Sequence, residues 1–85
     1  PKATLVHSAR LACGTVEIHL TLAENRIASR RFGGDFLGNL PASDVEKALT
    51  GIPYEINEIR KCLSKLEISR YFDRVSADNL LEMMF

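Results

Sequence analysis

Gly14-Thr15-Val16-Glu17-Ile18-His19-Leu20-Thr21-Leu22-Ala23 is the stretch that decides the fold class of this chain. Val16, Ile18, Leu20 and Leu22 alternate strictly with Thr15, Glu17, His19 and Thr21. Successive side chains of a strand point to opposite faces, so a period of two predicts a strand with one face in a core and the other toward water or a partner. Upstream, Thr4 to Ala12 reads as a first strand, with Leu5, Ala9 and Leu11 on one face and His7 interrupting it; Gly14 then supplies a turn. Downstream, Glu24-Asn25 is a polar break of hairpin length, and Asn tolerates the positive φ that tight hairpins need. A third strand is predicted from Arg26 to Phe32. Parallel neighbours would need a crossover of about a dozen residues, so the three strands form an antiparallel meander. Its apolar face requires a cover.

The second half of the chain supplies that cover. Ser43 and Glu46 have the spacing of a capping box, Val45, Ala48 and Leu49 recur at helical spacing, Gly51 falls where a C-terminal cap belongs, and Pro53 prevents continuation. A second helix is predicted from about Glu55 to Leu66, with Ile56, Ile59, Leu63 and Leu66 on one stripe and Glu58, Arg60, Lys61 and Lys65 mostly outside. Ile68, Tyr71 and Phe72 suggest a short helical turn. Ser76 caps a last helix carrying Leu80, Leu81 and Met84, with Phe85 at its end; that stripe reads as core in preference to a docking surface. Strands followed by helices imply an α+β fold, a three-stranded antiparallel meander with three to four helices packed on one face.

The bulk composition narrows the function classes. With 85 residues the chain makes a single small domain spanning 1–85, and its 46% apolar and 26% charged content belongs to a folded protein. Eleven Lys and Arg balance eleven Asp and Glu, so there is no global electrostatic footprint and no nucleic-acid partner is expected. No apolar run approaches the roughly 20 residues that span a bilayer, and no signal peptide opens the chain. Cys13 and Cys62 are widely spaced, and the second falls on the buried side of a predicted helix, so free thiols in a reducing compartment are expected. A cytoplasmic location follows from these points as an expectation. A strand signal directly after Pro1-Lys2 suggests a separate subunit or a domain of a longer chain.

Chemistry-bearing patterns are sparse. His7 and His19 both fall on predicted strands, and a surface or sheet-edge imidazole explains each without a catalytic role. Two cysteines and two histidines lack the spacing of a zinc site, and neither a Walker loop, a dinucleotide fingerprint nor a nucleophile elbow occurs. The irregular segment is Arg30-Arg31-Phe32-Gly33-Gly34-Asp35-Phe36-Leu37-Gly38-Asn39. Its glycines allow backbone approaches denied to other residues. Arg30, Arg31, Gly33, Gly34, Asp35 and Phe36 are therefore the candidates for a loop facing a partner or ligand. The plainer alternative is a strand-to-helix connection in which Asp35 makes a local turn and Phe36 fills core. Arg26, Arg30 and Arg31 together suggest a small basic patch, although exposed charges are more commonly solvated.

The ordered set Gly14-Thr15-Val16-Glu17-Ile18-His19-Leu20, Asn25-Arg26-Ile27, Phe32-Gly33-Gly34-Asp35-Phe36, Val45 through Tyr54, Ile68-Ser69-Arg70-Tyr71-Phe72 and Leu80-Leu81 resembles the small C-terminal domain of lipoate-protein ligases. The resemblance covers almost the whole chain. It implies a fold similar to iron–sulfur scaffold and sulfur-acceptor proteins. It further implies an accessory role beside a ligase catalytic domain, in the same chain or as a separate subunit. Ligases of this family use ATP and magnesium to make lipoyl-adenylate, then transfer the lipoyl group to a lysine of acceptors such as lipoyl domains and the glycine-cleavage H protein. The lipoate and ATP pockets and the catalytic lysine belong to the large domain, whose motifs do not occur here. This chain is thus expected to bind no cofactor itself and to meet acceptors only indirectly. Two rival readings remain: an iron–sulfur or sulfur-transfer scaffold, for which Cys13 near its turn is the candidate thiol, and a passive protein-interaction module.

Overall fold

The alternating stretch is the central strand of the sheet. The computed structural model describes residues 2–85, and Pro1 lies outside the described residues. Strands β1 (Lys2–Leu11), β2 (Gly14–Ala23) and β3 (Arg26–Phe36) are followed by helices α1 (Ser43–Leu49), α2 (Ile56–Ser64), α3 (Ile68–Tyr71) and α4 (Ala77–Met83). The sheet order is β1-β2-β3 with both pairings antiparallel, which is the expected α+β meander. Val16, Ile18 and Leu20 are fully buried and Leu22 is partly buried on one face of β2, as their spacing predicts. On β1 the side chains of Leu5, His7, Ala9 and Leu11 are half-buried while Thr4, Val6, Ser8 and Arg10 are exposed, so His7 does share the apolar face.

The β2–β3 hairpin turns on Glu24 (φ 53°) and Asn25 (φ 61°). Two consecutive left-handed residues give the tight turn that matches strand twist. Beyond it, Leu22 pairs with Ile27 but Thr21 pairs with Ser29, which leaves Ala28 as a one-residue bulge. That extra residue has a consequence for the core. Ile27 and Phe32 are five apart, a spacing that puts them on opposite faces of a regular strand; the bulge brings both to the core side, where both are buried.

β3 is longer than the sequence predicts. Gly33, Gly34, Asp35 and Phe36 pair with Glu17, Val16, Thr15 and Gly14, so the segment expected as a loop is the last part of the strand. Gly34 (φ 102°) and Gly14 (φ 127°) make this pairing fit, because a Cβ on either would overlap a main-chain oxygen of the opposite strand, that of Thr15 or Asp35.

The outer edge of β3 is closed by the chain itself. The Ile27 amide donates to the Ile52 carbonyl (2.9 Å), the Gly51 amide to Ile27 (2.7 Å) and the Tyr54 amide to Asn25 (2.8 Å). Gly51, at φ 83°, ends α1 as expected and starts this return. Further along, the Phe32 amide donates to the Glu46 carboxylate at 2.8 Å. The expected capping box at Ser43 is therefore absent: Ala42 is the N-cap residue, without a side-chain bond, and Glu46 is engaged on the strand. Helix α1 starts one residue early because Pro41 and Ala42 already form its first turn, their carbonyls accepting from Asp44, Val45 and Glu46. Replacing a buried amide's acceptor leaves the donor unpaired, a loss of roughly 1–3 kcal/mol. Glu46→Ala is accordingly expected to lower the denaturation midpoint clearly, and Glu46→Gln, which keeps an acceptor oxygen, to lower it much less.

Helix α2 ends at Ser64, earlier than predicted. Ile59 and Leu63 are buried, but Ile56 is 47% exposed, so the predicted stripe loses its first member. Its neighbour Tyr54 donates its hydroxyl to the Met84 carbonyl (2.6 Å) and stacks on Phe85 at 4.6 Å, tying the start of α2 to the end of α4. Ser76 and Asn79 form a reciprocal capping box at α4, as the serine suggested. Leu80, Leu81 and Met84 are buried, whereas Phe85 is half exposed. Phe72 joins the two layers: its ring lies edge-on to Phe32 at 5.0 Å and stacks on Phe36 at 4.9 Å.

Candidate functional site

The helices cover one face of the sheet and leave the other open. On the open face, register and alternation place Thr4, Val6, Ser8 and Arg10 of β1 beside Thr21, His19, Glu17 and Thr15 of β2. Those in turn lie beside Ser29, Arg31, Gly33 and Asp35 of β3. The surface is polar except for Val6. His19 Nε2 lies 3.4 Å from Glu17 Oε1, a long contact between two part-exposed groups. Such a pair contributes little to stability.

The six residues singled out from the sequence are divided by this arrangement. Arg31, Gly33 and Asp35 fall on the open face. Among the described residues, the side chains of Arg31 and Asp35 make no hydrogen bond or ion pair. Asp35 makes no local turn, because it is strand. Arg30 instead donates from Nε to the Glu46 carbonyl and braces α1. Gly34 serves the backbone, and Phe36 is partly buried against the core on Phe72. The basic patch is likewise split: Arg26 is bonded to the Gly51 carbonyl at 2.9 Å, so of the three arginines Arg31 alone is left for an external partner. The signal missed in the sequence was Ala28, whose bulge decides which arginine points which way.

Both thiols are free. Cys13 is in the β1–β2 turn but only 5% exposed, and burial pushes its pKa upward. Cys62 is half-buried, donates from Sγ to the Ala48 carbonyl (3.2 Å), and is also pushed upward by burial, with Lys65 opposing. A raised pKa lowers the thiolate fraction, which works against sulfur transfer by either residue. Among the described residues, no three His, Cys, Asp or Glu side chains gather to hold a metal ion. No helix among the described residues is long and apolar enough to cross a membrane.

Fold and site together define an α+β domain with one open polar sheet face and, among the described residues, no converging cluster for catalysis. The chain belongs to the family described as the bacterial lipoate protein ligase C-terminus, whose model matches residues 1–84. It is 39% identical over 84 residues to lipoate–protein ligase 2 of Staphylococcus aureus, covering 99% of this chain and 25% of the relative. Identity to the lipoate-protein ligase LplJ of Bacillus subtilis is 29% over 85 residues, covering all of this chain and 26% of the relative. A lipoate–protein ligase of Streptococcus pyogenes is 30% identical over 76 residues, 89% of this chain and 22% of the relative. The chain thus spans about a quarter of the length of the relatives it matches.

Proposed function

We propose that this chain is the accessory domain or subunit of an ATP-dependent lipoate-protein ligase, and that it assists formation of lipoyl-adenylate before the lipoyl group passes to a lysine of an acceptor protein. The supporting observation is the family match over residues 1–84. ATP, magnesium and lipoate are assigned to the catalytic part; among the described residues no three His, Cys, Asp or Glu side chains gather to hold a metal ion. What this chain contributes is shape and polarity. A lid over a reactive acyl-adenylate excludes water and holds the reactants in line, and it needs a rigid body with a polar contact face and no acid–base machinery. Val16, Ile18 and Leu20 make the sheet rigid, while Arg31 and Asp35 flank Gly33 and present two unpaired charges on the open face.

Adding the chain to a ligase core without its own C-terminal domain is expected to raise the rate of lipoate-dependent pyrophosphate release. Binding with no gain in rate would leave a passive interaction module instead. Within a complete enzyme, Asp35→Ala is expected to slow adenylation several-fold at unchanged thermal stability, because its carboxylate has no partner inside the domain. Unchanged adenylation at full folding would remove Asp35 from the interface.

A further inference from the structure

The two edges of the sheet are treated differently. The β3 edge is sealed by Gly51–Tyr54 and by the Glu46 carboxylate. The β1 edge runs for ten residues, Lys2–Leu11, and no main chain or side chain among the described residues bonds to it. Ala12-Cys13 forms a two-residue hairpin closed by the pair Leu11–Gly14. Bonded pairs alternate from such a closing pair, so the odd-numbered residues of β1 bond β2. The amides and carbonyls of Thr4, Val6, Ser8 and Arg10 consequently point outward. The same alternation carried across β2 predicts outward amides at Phe32 and, before the bulge, at Ile27, and those are the amides that the chain caps. An unguarded strand edge is a template for another strand, and proteins that avoid such pairing place Pro, a bulge or a central charge there. β1 has neither Pro nor a bulge, and its charges, Lys2 and Arg10, stand at its ends, so its centre is the exposed Val6.

We propose that β1 accepts an extended segment of the ligase's catalytic part as a fourth strand, antiparallel or parallel, with carboxylates near Lys2 and Arg10. This rests on the accessory reading and adds to the open face a second contact, the free sheet edge. A row of alternating donors and acceptors is complemented only by another extended main chain. The choice among extended chains follows from charge. Two copies of β1 paired antiparallel about Val6, the register that matches their outward residues over most of the strand, put Lys2 opposite Arg10 at both ends, and like charges directly opposite are destabilising. An acidic partner strand turns the same two positions favourable. In the relatives, moreover, the matching region is the C-terminal quarter, so the catalytic part precedes β1 and is held close to it. Tethering of that kind makes even modest pairing effective.

Hydrogen exchange tests this in the Staphylococcus aureus relative carrying the present chain in place of its own C-terminal quarter, compared with the chain alone. Amides of Thr4, Val6, Ser8 and Arg10 are expected to exchange rapidly in the isolated chain and at least ten-fold more slowly in the chimera. Val6→Pro removes an outward amide without touching the β1–β2 ladder and is expected to abolish that protection while the isolated domain keeps its circular dichroism. Lys2→Glu with Arg10→Glu, which leaves the backbone alone, is expected to weaken protection at least several-fold. If the chimera makes lipoyl-adenylate but those amides exchange as in the free chain, the strand-pairing proposal is overturned and the accessory role stands. A chimera that folds but gains nothing over the bare catalytic part overturns both. Protection that grows with concentration of the isolated chain also overturns it, in favour of self-pairing.

Discussion

Phe72→Ala is expected to destabilise this domain by about 3–5 kcal/mol, the usual loss for a buried phenylalanine cut to the β-carbon. Phe72 is fully buried and contacts two other rings, Phe32 and Phe36, from opposite ends of the same strand segment. Truncation removes both aromatic contacts and opens a void that rigid β3 has no freedom to fill. Folded domains hold roughly 0.05–0.15 kcal/mol per residue, so a chain of this length has only about 4–13 kcal/mol to lose. At about 4–8 °C per kcal/mol for domains of this size, the melting temperature is expected to fall by more than about 12 °C. Thermal unfolding followed by circular dichroism measures it. Phe72→Leu, which refills much of the space, is expected to lose less than half as much. A fall under about 5 °C for the alanine variant would show that the three-ring cluster does not couple sheet to helices.

The same cluster shows why some of the fold was legible in the sequence and some was not. The β2 alternation, the Asn25 turn, the Gly51 stop and the Ser76 cap depend on neighbours within a few residues, and each appears where the pattern put it. The end of β3 depends on a distant partner. Gly33-Gly34-Asp35 has the composition of a turn, but β2 starts at a glycine that leaves room for it, and cross-strand bonds extend the ladder to Phe36. The Ser43–Glu46 spacing met a competing acceptor role, because Glu46 lies opposite an otherwise unpaired strand amide. Ile56 keeps the helical period and is still exposed, since the first turn of α2 projects beyond the core. At the candidate site the segment was legible but not its orientation. One unpaired alanine, Ala28, sets Arg30 against α1 and Arg31 on the open face, and its one mark in the hydrophobic pattern is the odd spacing of Ile27 and Phe32, which reads as a bulge only once both are known to be buried.

Two glycines close together in β3 and just after it provide a matched test of how much the backbone path matters. Gly38→Ala is expected to cost about 2–4 kcal/mol, combining steric strain of roughly 1–3 kcal/mol with weakened hydrogen bonding worth about 1 kcal/mol. Its φ lies outside the left-handed region, so the constraint is proximity alone: a Cβ there would overlap the Tyr71 carbonyl oxygen, which is main chain and cannot swing aside. The surrounding bonds show how tightly the two segments are laid together. Asn39 and Leu40 both donate to the Arg70 carbonyl (2.8 and 3.0 Å), and Asp73 donates to Leu37 (2.8 Å). Any shift that relieves the overlap stretches these three bonds and moves Phe72, the residue next to Tyr71. Gly33→Ala is the contrasting case. Nothing lies within 4 Å of a Cβ at Gly33, and its φ is ordinary, so reduced freedom of the unfolded chain is expected to leave stability unchanged or raise it by up to about 1 kcal/mol. Urea midpoints of the two variants, at equal slopes, measure the difference. Equal midpoints would mean that the crossing of Gly38 over α3 is loose, and that the end of β3 is held by side chains rather than by main chain packed on main chain.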